Sequence, residues 1–270
     1  MIFERIALNV SSREIYLDAY VADMRNFARD AVLIFPGGAY HMVCDDREGE
    51  PIALAYLARG INAFVLHYSV GEEYRYPSHL TEASSALVYL KEHADELGIN
   101  KDRIFAVGFS AGGHLAGSLA ILHKNPEVLK ALGIKSGENR PCGAILSYPV
   151  VSAMCKTHEE SFSYLGGKDF DELSEDDRRS LSLECNVDGD SAPAFIWHTA
   201  EDEAVPVLGS LRLAEAYYNA GRPFTLRVYP YGVHGIALAN EITAGENGEW
   251  IVPLATEWLD ASVEWMKTVK

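Results

Sequence analysis

A five-residue pattern near the middle of the chain could hold a reactive serine. The run Gly108-Phe109-Ser110-Ala111-Gly112 reads G-x-S-x-G, directly after an apolar stretch typical of a buried strand and directly before a helical pattern of small residues. Such a serine stands on a sharp strand-to-helix turn, where glycines two positions to either side avoid a clash. The N–H of Ala111 would lie at the positive end of that helix and could donate to a developing oxyanion. The pattern therefore predicts that Ser110 is a nucleophile for acyl transfer.

A histidine and a carboxylate must accompany this serine, because a hydroxyl is a weak nucleophile until an imidazole takes its proton and a carboxylate orients that imidazole. His234 lies in a loop between two glycines, directly after the strand predicted over 224–229. Asp202 lies between Glu201 and Glu203, directly after the strand predicted over 194–199. Both segments begin where strands end, which is where open α/β sheets place their sites. His234 is thus the predicted base, and the acid is one of three neighbouring carboxylates.

Two further glycines, Gly37 and Gly38, follow the early apolar run over 31–35. Because glycine lets a backbone N–H approach a ligand closely, we expect one of them to complete an oxyanion hole with the serine turn. Tyr40, His41 and Tyr68 leave strand ends on the same side of the predicted sheet. They are candidates for lining the substrate pocket, and packing beneath a loop is the alternative for each.

Other patterns in the chain do not support a metal or cofactor site. His41 and Cys44 form no recognised ligand set, and the four cysteines include no C-x-x-C pair. Gly166-Gly167-Lys168 is followed by Asp169 and lacks the upstream glycine of a phosphate-binding loop. His114, one helical turn after the serine, is more typical of a hydrogen-bonded structural histidine than of a base. We therefore expect neither a metal nor a cofactor.

The rest of the sequence predicts the elements that position these residues. Two alternating stretches, over 3–10 and 14–22, flank Ser11-Ser12 and indicate an antiparallel hairpin. Strands are then predicted from apolar runs over 31–35, 61–68, 104–109, 142–151, 194–199 and 224–229. Helices are predicted over 51–59, 78–97, 113–122, 208–220 and 254–269. This alternation predicts an α/β fold with a mostly parallel central sheet, an N-terminal antiparallel hairpin and helices on both faces.

Length and composition limit the class of protein further. A chain of 270 residues, 48% of them apolar, can bury one sizeable core, so we expect a single domain over 1–270. Residues 152–191 interrupt the pattern and are acidic, which indicates a solvated insertion with short helices or a small cap over the active site. The formal net charge of −16 repels nucleic acid and anionic membranes. Scattered cysteines, without a signal-peptide pattern or a membrane-length apolar run, are typical of a cytoplasmic protein.

Four segments resemble the esterase and lipase branch of the α/β-hydrolase superfamily, and within it the bacterial acetyl esterases and carbohydrate (acetyl-xylan) esterase-like members. They are PGGAY (36–40), GFSAGGHLAGSLA (108–120), HTAEDEAVP (198–206) and YPYGVHG (229–235). The resemblance covers nearly the whole chain and implies that Asp202 is the acid, so that Ser110, Asp202 and His234 form a catalytic triad. Many members have HGGG where this chain has Pro36 before its two glycines, which leaves the oxyanion donor open.

The resemblance also implies ester hydrolysis through an acyl-enzyme, often with short acyl groups on sugars. We therefore expect a serine carboxylesterase acting on a small-molecule ester, in particular an acetylated sugar or oligosaccharide. The dense charge over 168–179 disfavours long-chain lipids, because an acyl chain would have to desolvate it. The alternatives are a thioesterase or peptidase with the same triad, and a non-catalytic small-molecule binding protein on the same fold. The sequence leaves the oligomeric state open, a homodimer included.

Overall fold

One eight-stranded sheet organises the computed structural model, which describes residues 1–10, 15–24 and 27–270. In chain order, the strands are β1 Ile2–Leu8, β2 Ile15–Val21, β3 Arg29–Phe35, β4 Asn62–His67, β5 Ile99–Phe109, β6 Gly143–Ser147, β7 Ala194–Thr199 and β8 Phe224–Tyr229. Their order across the sheet is β1-β2-β4-β3-β5-β6-β7-β8. The turn predicted at Ser11-Ser12 lies outside the described residues.

Strand directions follow the predicted plan. β1 pairs antiparallel with β2, and β2 pairs antiparallel with β4, so the N-terminal hairpin forms one end of the sheet. From β4 across to β8, every neighbouring pair is parallel. Because parallel strands share one direction, their carboxyl ends lie along one edge of the sheet. The predicted α/β fold with a mostly parallel sheet and an N-terminal antiparallel hairpin is confirmed.

Helices cover both faces of this sheet. The α-helices of the described chain are α1 Asp45–Glu48, α2 Glu50–Leu57, α3 Ser78–Glu92, α4 Ala94–Leu97, α5 Ser110–Ile121, α6 Pro126–Leu132, α7 Glu159–Gly166, α8 Glu175–Leu181, α9 Leu208–Asn219 and α10 Trp258–Thr268. In β3, Ala31 and Leu33 enter a core that contains residues of α3 and α5. The intervening Val32 and Ile34 enter a second core with residues of α2 and α10. This alternation is the two-residue period of a strand buried on both sides.

Several element boundaries differ from the predicted ones. The helix predicted over 78–97 is interrupted at His93, where φ of −101° and ψ of 18° separate α3 from α4. Its apolar residues at spacings of three and four are buried all the same, at Leu80, Ala83, Leu87, Leu90, Ala94 and Leu97. The strand predicted over 142–151 ends at Ser147, because Tyr148 adopts a φ of +36° that no strand allows.

The acidic segment over 152–191 folds into α7, α8 and two short 3₁₀ turns. Its apolar side chains join the main core, at Phe162, Leu165, Leu173, Leu181 and Leu183. Gly167 ends α7 with a φ of +69°, so the Gly166-Gly167-Lys168 run closes a helix and does not link a strand to a helix as a phosphate-binding loop does. Within the described ranges, no helix combines the length and apolar character that a membrane span needs.

Candidate active site

Ser110 stands at the sharp turn between β5 and α5. Its φ of +54° lies in the left-handed region, a conformation that stores strain in a non-glycine residue. A Cβ on Gly108 would lie 2.1 Å from the carbonyl oxygen of Gly112, and a Cβ on Gly112 would lie 2.0 Å from the carbonyl oxygen of Phe35. Backbone atoms leave no room for a side chain at either place. The two glycines of the motif are therefore a steric requirement of the turn that carries the serine.

Side chains from three strand ends meet at this turn. Nε2 of His234, in the loop after β8, lies 2.8 Å from Oγ of Ser110. Nδ1 of His234 lies 2.7 Å from Oδ2 of Asp202, in the loop after β7. Because an ionised carboxylate only accepts hydrogen bonds, Nδ1 carries the imidazole proton and Nε2 accepts from the Ser110 hydroxyl. Ser110 therefore has a base within direct reach.

The carboxylate of Asp202 is buried and held in its ionised form. Burial alone would raise its pKa, but hydrogen bonds from His198 and His234, together with the attraction of His234, hold that pKa well below its ordinary value. Its other oxygen, Oδ1, accepts from the backbone N–H of Val205 at 2.8 Å. Asp202 thus remains a charged acceptor that fixes the orientation of His234.

The two rival carboxylates point to solvent. Glu201 and Glu203 are both exposed, whereas Asp202 is 5% exposed. Glu201 reaches the backbone N–H of Gly232 at 3.4 Å and so contacts the loop that carries the histidine, but not its ring. Of these three carboxylates, it is Asp202 that hydrogen-bonds His234.

The glycine loop after β3 has one of its two candidate donors already engaged. Gly37 donates its N–H to Oε2 of Glu48 at 2.7 Å. Gly38 lines the cavity beside Ser110 and adopts a φ of +123°. On the other side, Ala111 lies in the first turn of α5, where N–H groups lack intrahelical acceptors. Gly38 and Ala111 are therefore the candidate oxyanion donors, and the hydrogen bond to Glu48 removes Gly37 from that role.

A cavity of about 270 Å³ opens beside Ser110. It is lined by Gly38, Ala39, His41, Met42, Cys44, Arg47, Glu48, Ser110, His158, Glu160 and His234. Of the predicted pocket residues, only His41 belongs to this lining. Tyr40 is 1% exposed and donates to Nδ1 of His114 at 2.8 Å. Tyr68 is 2% exposed and donates to the carbonyl of Pro36 at 2.7 Å, so both tyrosines pack beneath the loop and do not line the pocket.

The lining includes side chains that the sequence motifs do not mark. His158 and Glu160 reach the cavity from the start of α7, in the acidic segment. Nδ1 of His158 lies 3.0 Å from Oγ of Ser161, and burial lowers the pKa of the His158 imidazole. Arg47 enters from α1 and holds its guanidinium 4.6 Å from the ring centroid of Trp250. His158, Glu160 and Arg47 therefore place titratable groups in the same cavity as Ser110 and His234.

A larger depression of about 780 Å³, which we call the polar groove, lies next to this cavity. It is lined by Glu72, Arg75, Glu159, Glu160, Ser163, Tyr164, Gly167, Lys168, Asp169, Phe170 and Asp171. Glu160 borders both spaces. The ring of Tyr164 meets His41 of the cavity edge-on, with centroids 4.9 Å apart. The polar groove, lined by hydrogen-bonding groups and the rings of Tyr164 and Phe170, thus adjoins the cavity of Ser110 at Glu160.

The sheet, the strained serine turn and the three strand-end side chains define this protein as an α/β hydrolase. Comparison with known proteins gives the family more narrowly. The family model described as BD-FAE matches residues 17–217, and the chain belongs to this family.

Curated relatives include larger proteins. The chain is 38% identical over 221 residues to endo-1,4-beta-xylanase B of Butyrivibrio fibrisolvens. This match covers 79% of this chain and 33% of that protein. It is 27% identical over 210 residues to the acetylxylan esterase of Xylanibacter ruminicola. This match covers 76% of this chain and 40% of that protein. The chain thus spans between a third and two fifths of the length of these two relatives.

Solved structures match over nearly their whole length. An acetyl ester-xyloside bifunctional hydrolase from Caldicellulosiruptor lactoaceticus has a TM-score of 0.82 at 31% identity, with 96% of this chain and 89% of that chain covered. A carboxylesterase from Lactobacillus plantarum has a TM-score of 0.86 at 25% identity, with 99% and 98% covered. The fold of this chain is therefore that of known ester hydrolases throughout the sheet and its helices.

Proposed function

We propose that this chain is a serine carboxylesterase that hydrolyses short-acyl esters, in particular acetyl groups on sugars, through an acyl-enzyme. The observation that carries the proposal is the relay from Oδ2 of Asp202 through His234 to Oγ of Ser110, with contacts of 2.7 and 2.8 Å. This arrangement turns a weakly nucleophilic hydroxyl into one that can attack a carbonyl carbon. The esterases named among the relatives support the same class of reaction.

In the first half of the reaction, Oγ of Ser110 bonds to the ester carbonyl carbon while its proton passes to Nε2 of His234. The carbonyl oxygen becomes an oxyanion and accepts hydrogen bonds from the N–H groups of Gly38 and Ala111. When this tetrahedral intermediate collapses, the bond to the alcohol oxygen breaks and His234 protonates the departing alkoxide. The products are the free alcohol and an acyl ester on Ser110.

In the second half, water attacks the acyl carbon while His234 again takes the proton. Collapse of the second tetrahedral intermediate returns that proton to Oγ of Ser110 and releases the carboxylic acid. Asp202 stays ionised in both halves, since its role is to orient His234 and stabilise the imidazolium. Substrate, water and these side chains supply every proton and electron pair, so the proposed reaction calls on no cofactor.

The dimensions of the site support a small acyl group. A cavity of about 270 Å³ lies below the range of about 300–1,000 Å³ that drug-sized ligands occupy. The polar groove supports a sugar as the alcohol, because carboxylates accept hydrogen bonds from hydroxyls and the rings of Tyr164 and Phe170 offer flat apolar faces. Long acyl chains would have to desolvate the charged groups there. The names of the acetylxylan esterase and of the acetyl ester-xyloside hydrolase agree with this substrate class.

We also propose that the segment over 152–191 acts as a cap within a single domain. Its residues His158 and Glu160 line the cavity of Ser110, and its Tyr164 contacts His41 of the same lining. The segment is anchored below by His114, whose Nε2 donates to the carbonyl of Leu181 at 2.7 Å. His158 and Glu160 of the cap therefore face the cavity, whereas Leu181 fixes the cap to the core through His114.

A panel of substrates tests the proposal. Rates would be measured on acetyl, butyryl, octanoyl and palmitoyl esters, on an acetyl thioester and on a peptide amide, together with acetate release from acetylated xylo-oligosaccharides. We expect the highest kcat/KM on acetyl esters and release of acetate from the sugars. Preference for octanoyl or longer esters without acetate release would overturn the substrate class. Failure of a fluorophosphonate probe to label Ser110 would overturn the catalytic assignment and favour a binding protein.

A further inference from the structure

We infer that Glu48 and Tyr148 are positioning residues that hold the oxyanion loop (36–44) and the histidine loop (230–239) at a fixed separation around Ser110. This inference rests on the proposed function, because it assigns a role in the same reaction. Both residues lie outside the three side chains of the relay. Their connection crosses the site from the loop after β3 to the loop after β8.

Glu48 is the acceptor at the centre of this connection. Its side chain is on α1, directly behind the oxyanion loop, and the residue is 1% exposed. Oε2 accepts from the N–H of Gly37 at 2.7 Å, and Oε1 accepts from the hydroxyl of Tyr148 at 2.8 Å. A buried carboxylate is costly unless its oxygens are hydrogen-bonded, so each oxygen here needs its donor. Moving either partner would leave one oxygen unsatisfied.

Tyr148 carries the connection to the other loop. Its hydroxyl donates to Glu48 and accepts from the backbone N–H of Ala237 at 3.0 Å. Burial, and then the neighbouring Glu48, raise the pKa of Tyr148 well above its ordinary value, so the phenol keeps its proton and remains a donor. Its ring also packs edge-to-face on His234, with centroids 5.0 Å apart. One side chain therefore contacts the base, the backbone of the base's loop and the carboxylate behind the oxyanion loop.

The two ends of the connection adjoin the groups that react. Gly37 directly precedes Gly38, the candidate oxyanion donor, and its carbonyl accepts from the N–H of Cys44 at 3.0 Å. Ala237 follows His234 by three residues, and its carbonyl accepts from Nε1 of Trp258 at 2.9 Å. The N–H and the carbonyl of Gly37 and of Ala237 are therefore all hydrogen-bonded. Glu48 and Tyr148 connect these two residues.

This connection bears on catalysis because oxyanion donor and base must act on one tetrahedral centre. A misplacement of 1 Å can cost about 100-fold in rate. The hydrogen bonds have only one workable direction, since a carboxylate cannot donate and the Ala237 N–H cannot accept. An amide at position 48 can satisfy Gly37 or Tyr148 as an acceptor but not both. We therefore expect the transition state to suffer more than substrate binding when the connection is broken.

The test uses two nearly isosteric variants, Glu48→Gln and Tyr148→Phe, with the exposed residues Glu50→Gln and Tyr218→Phe as matched controls. On an acetyl ester, kcat should fall by about 10- to 100-fold in each test variant while KM changes by less than about twofold. The inhibition constant of a trifluoromethyl ketone, which forms a tetrahedral adduct on the serine, should rise by the factor by which kcat/KM falls. The double variant should be no slower than the slower single variant, because the two residues act as a unit.

Each result decides the inference. Wild-type kinetics in folded Glu48→Gln and Tyr148→Phe would overturn it and leave the proposed function standing. A lower kcat with an unchanged ketone affinity and additive single effects would reduce both residues to general structural roles and overturn it as well. Where Glu48→Gln does not fold, judged by circular dichroism and thermal unfolding, Tyr148→Phe decides alone. A wild-type protein that is neither labelled at Ser110 nor active on any ester would overturn the proposed function and this inference together.

Discussion

The hydroxyl of Tyr40 donates to Nδ1 of His114 across 2.8 Å, in a part of the core where both residues are at most 2% exposed. Because Nδ1 of His114 accepts from Tyr40 while Nε2 donates to the carbonyl of Leu181, this ring is neutral and joins the oxyanion loop to the cap segment. Burial lowers the pKa of His114 to about 4, and burial also lowers the pKa of the adjacent His79 to about 4. Two neutral histidines therefore lie beneath the site.

The free energy of unfolding should fall as the pH decreases from 6.5 towards 4. In the unfolded chain these histidines take up protons near their ordinary pKa of 6.5, whereas the folded chain keeps them neutral to about 4. Each contributes a slope of about 1.4 kcal/mol per pH unit in that window. Urea unfolding at several pH values measures this slope. His114→Gln should reduce it by about 1.4 kcal/mol per pH unit, the contribution of one histidine. An unchanged slope in this variant would contradict the assignment.

Replacing Ser110 by alanine should lower kcat by about 10⁴-fold or more, because members of a catalytic relay act as a unit. The fold should survive, since the change removes one oxygen atom from the turn. Rates on an activated acetyl ester and fluorophosphonate labelling would be compared with Ser180→Ala, a matched change at an exposed residue on α8. A near-wild-type rate in purified Ser110→Ala would move the nucleophile elsewhere.

Asp202→Asn should lower kcat by about 10⁴-fold, because an amide favours the wrong tautomer of His234. Glu201→Gln and Glu203→Gln serve as matched controls and should stay near the wild-type rate, since both side chains are exposed. The measurement is kcat on the same acetyl ester at neutral pH. A larger loss at either glutamate would assign the acid to that residue.

Gly112→Ala should destabilise the protein by about 3 kcal/mol or more, because the new Cβ would lie 2.0 Å from the carbonyl oxygen of Phe35. Gly189→Ala is the matched control, since a Cβ there meets nothing within 4 Å and should change stability by less than about 0.5 kcal/mol. Denaturant unfolding of both variants gives the comparison. Equal stabilities would mean that the serine turn relaxes to accept a side chain.

Tyr164→Ala and Phe170→Ala should each lower kcat/KM on acetylated xylotetraose by about 2- to 12-fold, the effect of losing one aromatic contact. Phe170→Ala should leave hydrolysis of a small aryl acetate unchanged, because that ester does not extend into the polar groove and Phe170 does not line the cavity of Ser110. Tyr218→Ala, at an exposed tyrosine away from the groove, is the control. Equal losses on both substrates would indicate a disturbed cap and exclude a sugar subsite in the groove.

Local rules select the residues of the proposed relay from the sequence, by their type, their order and their place at strand ends. The three members of the relay lie at the ends of β5, β7 and β8, and the structure brings them together. Tyr148 lies at the end of β6, but the apolar run over 142–151 conceals that end, because the strand stops at Ser147. Tyrosine at a strand end would have been a signal had the boundary been known.

Other site residues depend on tertiary contacts that no local pattern encodes. Glu48 lies in a charged stretch without a motif, yet it is buried and accepts hydrogen bonds from Gly37 and Tyr148. Tyr40 and Tyr68 leave strands in the direction of the pocket, but their hydroxyls find acceptors beneath the loop at His114 and Pro36. Whether these side chains line the pocket therefore depends on their burial, which results from the packing of the whole folded protein.

The relay joins Ser110 to a histidine 124 residues further along the chain, and that histidine depends on β8, the outermost strand at its end of the sheet. During synthesis the serine turn leaves the ribosome long before its base exists. Parallel pairing between distant strands is also a slow step of folding, since loop closure must precede the contacts that reward it. In the proposed mechanism, Ser110 can therefore be activated only in a chain whose β8 has joined the sheet, since His234 follows that strand.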